Sequence, residues 1–235
     1  KFQKTLDQAS QLLHQFPSSI ILYNIIGASN QILGQFDAAI EAYKKALVIK
    51  PDYADAYNNL GVVLKEKGKI GEAINSYKKA LAIKPDFAEA YNNIANAFRK
   101  KGELGEAIKA YNKALAIKPD YADACNNLGL ALKEKGKIGE AIKAYNKAII
   151  IKPDCPEAYH NISNALEELT FTQPNTSLQK LITLLLDKKS YIRPRVIARG
   201  AISLLKFEPN VNKHLQKLSF DELTAPPDEV VAELS

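Results

Sequence analysis

Five prolines, Pro17, Pro51, Pro85, Pro119 and Pro153, fall 34 residues apart along a chain of 235. Whole columns keep the same step: Gly34, Gly68, Gly102 and Gly136; Ala39, Ala73, Ala107 and Ala141; Tyr43, Tyr77, Tyr111 and Tyr145; Ala46, Ala80, Ala114 and Ala148. A period of this length admits one kind of solution, in which a single supersecondary unit is stacked on copies of itself and each copy buries its apolar face against the next.

Within a unit the apolar pattern is helical twice over. Ala56, Tyr57, Leu60, Gly61 and Leu64 recur with a period of about 3.6 residues, and Ile70, Ala73, Ile74, Tyr77 and Leu81 do so again beyond Gly68. The unit is therefore a helical hairpin. Gly68 lets the chain leave one helix with positive φ, and Pro85 ends the second helix, because proline lacks an N–H and restricts the residue before it. Small residues such as Gly61 and Ala73 are expected where helix backbones approach, with Tyr57 and Tyr77 filling the spaces between neighbouring pairs.

The string Tyr57-x-x-Leu60-Gly61-x-x-Leu64, then Ala73-x-x-x-Tyr77, then Pro85 resembles the tetratricopeptide-repeat (TPR) pattern. Tyrosine stands where that pattern has tryptophan and phenylalanine, and leucine where it has a later tyrosine. The resemblance implies an all-α, right-handed superhelical solenoid of antiparallel helix pairs with a C-terminal helical cap. It assigns residues 1–16 to a second-type helix of a partial repeat and 18–169 to four full repeats plus a further first helix. Residues 170–219 read as a helical cap or connector, because the 34-residue rhythm stops after Thr170 and Leu178, Leu181, Ile182 and Leu185 form a new apolar face. Residues 220–235, with five acidic side chains and no Lys or Arg, read as an acidic linker or tail. The strings YNNLGVVLKEKGK and ALAIKPDFAEAYNN further resemble the superhelical arm of O-GlcNAc transferases and related bacterial TPR proteins.

In such stacks the first helices line the concave surface. At about 100° per residue, Asp55, Asn59, Val62 and Glu66 form a stripe opposite the core positions. The stripe continues as Glu89, Asn93, Asn96 and Lys100, then Asp123, Asn127, Leu130 and Glu134, then Glu157, Asn161, Asn164 and Glu168, with His160 beside it. A column of asparagines, Asn59, Asn93, Asn127 and Asn161, runs through it. Each tip carries both donor and acceptor and can bracket an extended peptide backbone whatever its side chains are. In the transferase arms the matching asparagines bind the substrate-peptide backbone. The plainer alternative is that they hydrogen-bond between neighbouring helices. Asp55, Glu89, Asp123 and Glu157 have the wrong sign for gripping a C-terminal carboxylate, so neutral or basic segments are the expected ligands. The first repeat departs from this pattern, since its stripe reads Ile21, Ile25, Ala28 and Ile32. That face reads as a docking site for a partner or for a second copy of the chain in a homodimer, unless upstream residues cover it.

Other chemistries find little support. The net charge of +6 traces to lysines on second helices, such as Lys44, Lys45, Lys78, Lys79, Lys113 and Lys147, and at their ends, Lys50, Lys84, Lys118 and Lys152. Acids open the first helices, so the distribution suits helix dipoles and argues against nucleic acid as a partner. The Gly68-Lys69-Ile70-Gly71 motif and its equivalents match a phosphate-clamping loop only in form, each being a hairpin turn. His14, His160 and His214 occupy unrelated positions, and Cys125 and Cys155 lack ligand spacing, so neither a metal, a cofactor nor a catalytic residue is expected. No apolar run reaches the roughly 18 residues that span a bilayer. The expectation is a cytoplasmic protein that does not contact membrane, and the formal glycosylation sequons at Asn161 and Asn175 stay unmodified. A chain without Met that opens at Lys1 reads as a piece of a longer protein. The expected function is a scaffold that binds extended peptide segments. The alternative is the non-catalytic substrate-recognition arm of a larger glycosyl-, methyl- or sulfotransferase.

Overall fold

A computed structural model of the protein describes residues 2–167 and residue 182. Among the described residues every regular element is an α-helix: α1 (Phe2–Gln15), α2 (Ile20–Ile32), α3 (Phe36–Ile49), α4 (Ala54–Glu66), α5 (Ile70–Ile83), α6 (Ala88–Lys100), α7 (Leu104–Ile117), α8 (Ala122–Glu134), α9 (Ile138–Ile151) and α10 (Pro156–Glu167). The fold is an all-α solenoid of helix pairs, as the repeat predicts. Apart from residue 182, the readings placed on 168–235, the cap or connector, the acidic tail and Glu168 among them, lie outside the described residues.

The chain forms two compact units, Lys1–Ala124 and Cys125–Ser235. In the first, α2 packs on α3, α4 on α5 and α6 on α7, while α3 also meets α4 and α5 meets α6. The first helices touch one another as well, α2 against α4 and α4 against α6. In the second unit α9 packs on α10.

Local chemistry sets the helix ends. At the end of α4 the Gly68 N–H donates to the Lys65 carbonyl (3.0 Å) and the Lys69 N–H to the Leu64 carbonyl (2.8 Å). This pair of bonds satisfies carbonyls the helix would otherwise leave bare, and it requires a left-handed residue at Gly68, whose φ is 81°. Gly34, Gly102 and Gly136 have φ of 73°, 83° and 78°, so the turn repeats and the glycine motif is structural. Second helices end differently. Lys84, at φ −127° and ψ 88°, leaves the helical region and closes α5 immediately before Pro85, whose ring disfavours a helical residue ahead of it.

In three of the pairs the interior is built on contact between tyrosine and glycine, and in α6–α7 Ala95 takes the glycine's place. A methyl group placed on Gly61 in α4 would lie 2.6 Å from Cε1 of Tyr77 in α5, closer than carbon atoms pack, so the ring rests on bare backbone. Gly27 and Tyr43 in the first unit, and Gly129 and Tyr145 in the second, repeat the arrangement, and these tyrosines are buried. Tyr77 thus fills space within its own hairpin, where the sequence pattern had placed it between neighbouring pairs. Tyr57 lies half-buried, with the Lys79 ammonium 5.4 Å from its ring centre.

Candidate functional site: the first-helix face

First helices of about 13 residues present their stripes in a common way: the described ends of the stripe are exposed, while its middle positions are half-buried. In the first unit, Asp55 and Glu66 on α4 and Glu89 and Lys100 on α6 are exposed, with Asn59, Val62, Asn93 and Asn96 half-buried between them. Asp123, in the first turn of α8, is exposed too. On α2, Ile21 is 66% and Ile32 57% exposed, whereas Ile25 and Ala28 are half-buried. The apolar stripe is therefore open at its two ends and partly covered in its centre. In the second unit, Glu134, Glu157 and His160 are exposed and Asn127, Leu130, Asn161 and Asn164 are half-buried. Asn164 Nδ2 lies 3.0 Å from His160 Nε2, so that histidine is tied to the same helical face.

The asparagines form a network with a regular offset. Asn59 donates from Nδ2 to Asn24 Oδ1 (3.2 Å), and Asn93 donates to Asn58 Oδ1 (3.0 Å). In the second unit Asn161 donates to Asn126 Oδ1 at 3.0 Å. Each bond joins a residue to one 35 positions earlier, a repeat plus one residue. The expected column is thus the donor row, and the acceptors, Asn24, Asn58 and Asn126, form a second column beside it, in which His160 takes the asparagine's place in the next repeat. Its signal was the recurring dipeptide Asn58-Asn59, Asn92-Asn93 and Asn126-Asn127. The plainer reading of the column, bonding between neighbouring first helices, holds in both units.

Amides of the preceding repeat also fix two carboxylates, one 35 and one 31 residues further along the chain. Gln31 Nε2 lies 3.3 Å from both oxygens of Glu66, and Asn58 Nδ2 donates to Glu89 Oε1 at 3.3 Å. Each acid is held by an amide of the preceding repeat. Beside the acidic ends stand half-buried aromatic rings. Burial, reinforced by Asp55, raises the Tyr53 phenol above its ordinary range, and burial with Glu89 and Asp123 raises that of Tyr121. The negative charge of this edge is thus felt by its neighbours. At the other end of the helices, burial depresses the Lys65 ammonium, with Glu66 opposing and Lys100 adding to the shift.

The lysines of the second helices serve the fold. Lys45, Lys79 and Lys113 lie over Tyr23, Tyr57 and Tyr91, and Lys50, Lys84 and Lys118 over Tyr53, Phe87 and Tyr121, all with the ammonium within 5.9 Å of the ring centre. Such contacts each contribute roughly 0.5–1 kcal/mol at exposed sites. Cys125 takes the place of the first-helix tyrosine in its repeat and is fully buried. Burial pushes its thiol up, and Lys147 partly offsets the shift. Among the described residues no group of three or more His, Cys, Asp or Glu side chains could hold a metal ion, and no helix is long and apolar enough to cross a membrane.

Comparison with known proteins matches this architecture. The chain is similar to the protein in a crystal structure of MamA, with 31% identity and a TM-score of 0.57 over 80% of this chain and 95% of that one. It shares its fold with YrrB, described as a TPR protein with an unusual peptide-binding site (17% identity, TM-score 0.57, 89% of this chain and 98% of the other). It also shares it with PilF of Pseudomonas aeruginosa (21% identity, TM-score 0.63, 94% and 89%). No curated protein matches the sequence. The family model described as TPR repeat matches four times in succession, over residues 32–68, 63–100, 95–136 and 129–169. These matches span more than half of the chain, and with the stacked hairpins, turn glycines and tyrosine columns they make it a member of the tetratricopeptide-repeat family.

Proposed function

We propose that this protein is an interaction scaffold and that its first-helix face binds an extended peptide segment by its backbone. The observation that carries the reading is the row of half-buried asparagines on first helices, Asn59 and Asn93 in one unit and Asn161 in the other. Each commits one N–H of Nδ2 to the preceding repeat. An amide has two N–H groups and an acceptor oxygen, so each retains the capacity to bond a peptide backbone while its orientation is held by its neighbour. Preorganised donors lose little freedom when a ligand arrives, which favours affinity. The peptide-binding site for which YrrB is described is a precedent within the same fold. No step of bond making or breaking is assigned to these residues, and the cytoplasm is the compartment that fits the reading.

A second reading is favoured by the strings resembling the arms of O-GlcNAc transferases. There the same face would select substrate for a transferase domain carried elsewhere in a longer protein.

The test uses paired substitutions on the full chain and the capture of bound peptides from a random extended library. Asn59→Ala and Asn93→Ala remove both the inter-repeat bond and the peptide contact, whereas Asn24→Ala removes only the acceptor of the first bond. Affinity should fall about tenfold or more in the first pair and by clearly less in the Asn24 variant, which loses only the preorganisation of Asn59, a tenfold change being ~1.4 kcal/mol. Equal losses in all three would make the network purely structural.

A further inference from the structure

The face of the first unit carries two chemistries side by side. Helix α2 has no charged side chain, and Ile21 and Ile32 are exposed on it. The next two first helices open with the exposed acids Asp55 and Glu89. Hydrogen bonds from Asn59 to Asn24 and from Asn93 to Asn58 show that α2, α4 and α6 lie side by side in that order. A segment laid across them meets an apolar surface and then an acidic edge. The opposite edge favours the other sign, since half-buried Lys65 and Arg99 accompany exposed Glu66 and Lys100. Basic side chains are therefore favoured on one side of the segment only.

Spacing then selects a conformation. Packed helices lie about 8–10 Å apart. A β-strand, at about 3.3 Å per residue, covers that distance in about three residues, but its alternation sends every third side chain to the opposite edge. A polyproline-II segment also advances roughly 9 Å in three residues and returns the third side chain to the same edge. Its backbone has no internal hydrogen bonds, so its amides are available to the asparagines.

We propose that this face reads a two-part segment: an aliphatic anchor over Ile21, Ile25 and Ile32, followed by basic side chains at the third and sixth positions beyond it, meeting Asp55 and Glu89 from a polyproline-II-like backbone. The proposal rests on the peptide-binding reading above and names the ligand class that charge complementarity selects.

Fluorescence anisotropy of the full chain with four labelled peptides tests it. The first carries a Leu-Leu anchor and arginines at the third and sixth following positions; the second moves the arginines to the second and fourth. The third replaces them with glutamine, and the fourth replaces the leucines with serine. The first should bind at least about fivefold more tightly than each of the others, the scale of ~1 kcal/mol in affinity. Asp55→Asn with Glu89→Gln should erase its advantage over the glutamine peptide, and Ile21→Ser its advantage over the serine peptide. Both changes are at exposed positions, and circular dichroism checks that helicity is kept. Equal affinity for all four peptides, with Asn59→Ala weakening each, would overturn the two-part code while leaving backbone binding in place. Failure of all four to bind would overturn the code, and library capture would then decide the fate of backbone binding separately.

Discussion

Replacing tyrosine by phenylalanine in two successive repeats should have opposite effects. Tyr77 and Tyr111 occupy the same column, and both are fully buried. The Tyr111 hydroxyl lies 2.6 Å from Asn96 Oδ1, to which it donates. The repeats on either side carry Val62 and Leu130 at the position of Asn96. The Tyr77 hydroxyl is buried and meets no hydrogen-bond partner among the described residues. Tyr111→Phe gives up a short bond and strips the Asn96 oxygen of a donor, a loss of about 1–1.5 kcal/mol. Tyr77→Phe removes a hydroxyl whose desolvation nothing on the protein offsets, so stability should rise, by about 1 kcal/mol on the scale of mutational data. The two variants should therefore differ by ~2 kcal/mol, far more than identical chemistry at equivalent sites would suggest. Urea unfolding of the full chain reads the difference. With a slope of about 1–3 kcal/mol/M the midpoints should separate by roughly 1 M in opposite directions from wild type. Hydrogen exchange localises the changes to α4–α5 and α6–α7, which matters because a repeat array need not unfold in one step. Equal destabilisation by both substitutions would refute the reasoning.

Three other expectations concern the scaffold. Gly68→Ala forces a side chain into φ of 81° and should cost about 1–2 kcal/mol, whereas Gly71→Ala, with open space around its new methyl group, should stabilise α5 by roughly 0.5–1 kcal/mol; thermal melts of the two variants check the contrast. Burial raises the Tyr43 phenol from 10.0 to about 12. The native state keeps that proton where the unfolded chain has lost it, so stability is intact below about pH 10 and falls as pH rises from there toward 12, which absorbance at the phenolate band during alkaline unfolding measures. The Cys125 thiol, fully buried and with its ionisation pushed upward, should resist alkylation in the folded chain and react at a rate set by opening of the structure, so mass spectrometry across a urea series should show labelling rise with unfolding.

Much of the architecture was legible because helix pairs are local. The 34-residue step, the apolar period within each half and the turn glycines all arise from interactions a few residues apart, and a linear pattern reports them faithfully. The stripe of first-helix positions followed from helical geometry alone, and so did the neutral, apolar character of α2. What a linear pattern reports poorly is the meeting of residues in different repeats. Whether Asn59 turned to a ligand or to Asn24 depended on how closely α4 lies beside α2, and that distance is a property of the packed stack.

The amino-acid sequence by itself therefore determined the repeat, the hairpin and the family, since each is encoded by spacing. Only the tertiary structure decided that the asparagines pair with an offset of 35 residues. It alone placed the Tyr77 ring on the bare backbone of Gly61 and left Ile21 open while half covering Ile25. The physical reason is the same in each case: hydrogen bonds and van der Waals contacts act over a few ångströms, and only the folded chain brings side chains of different helices within that range.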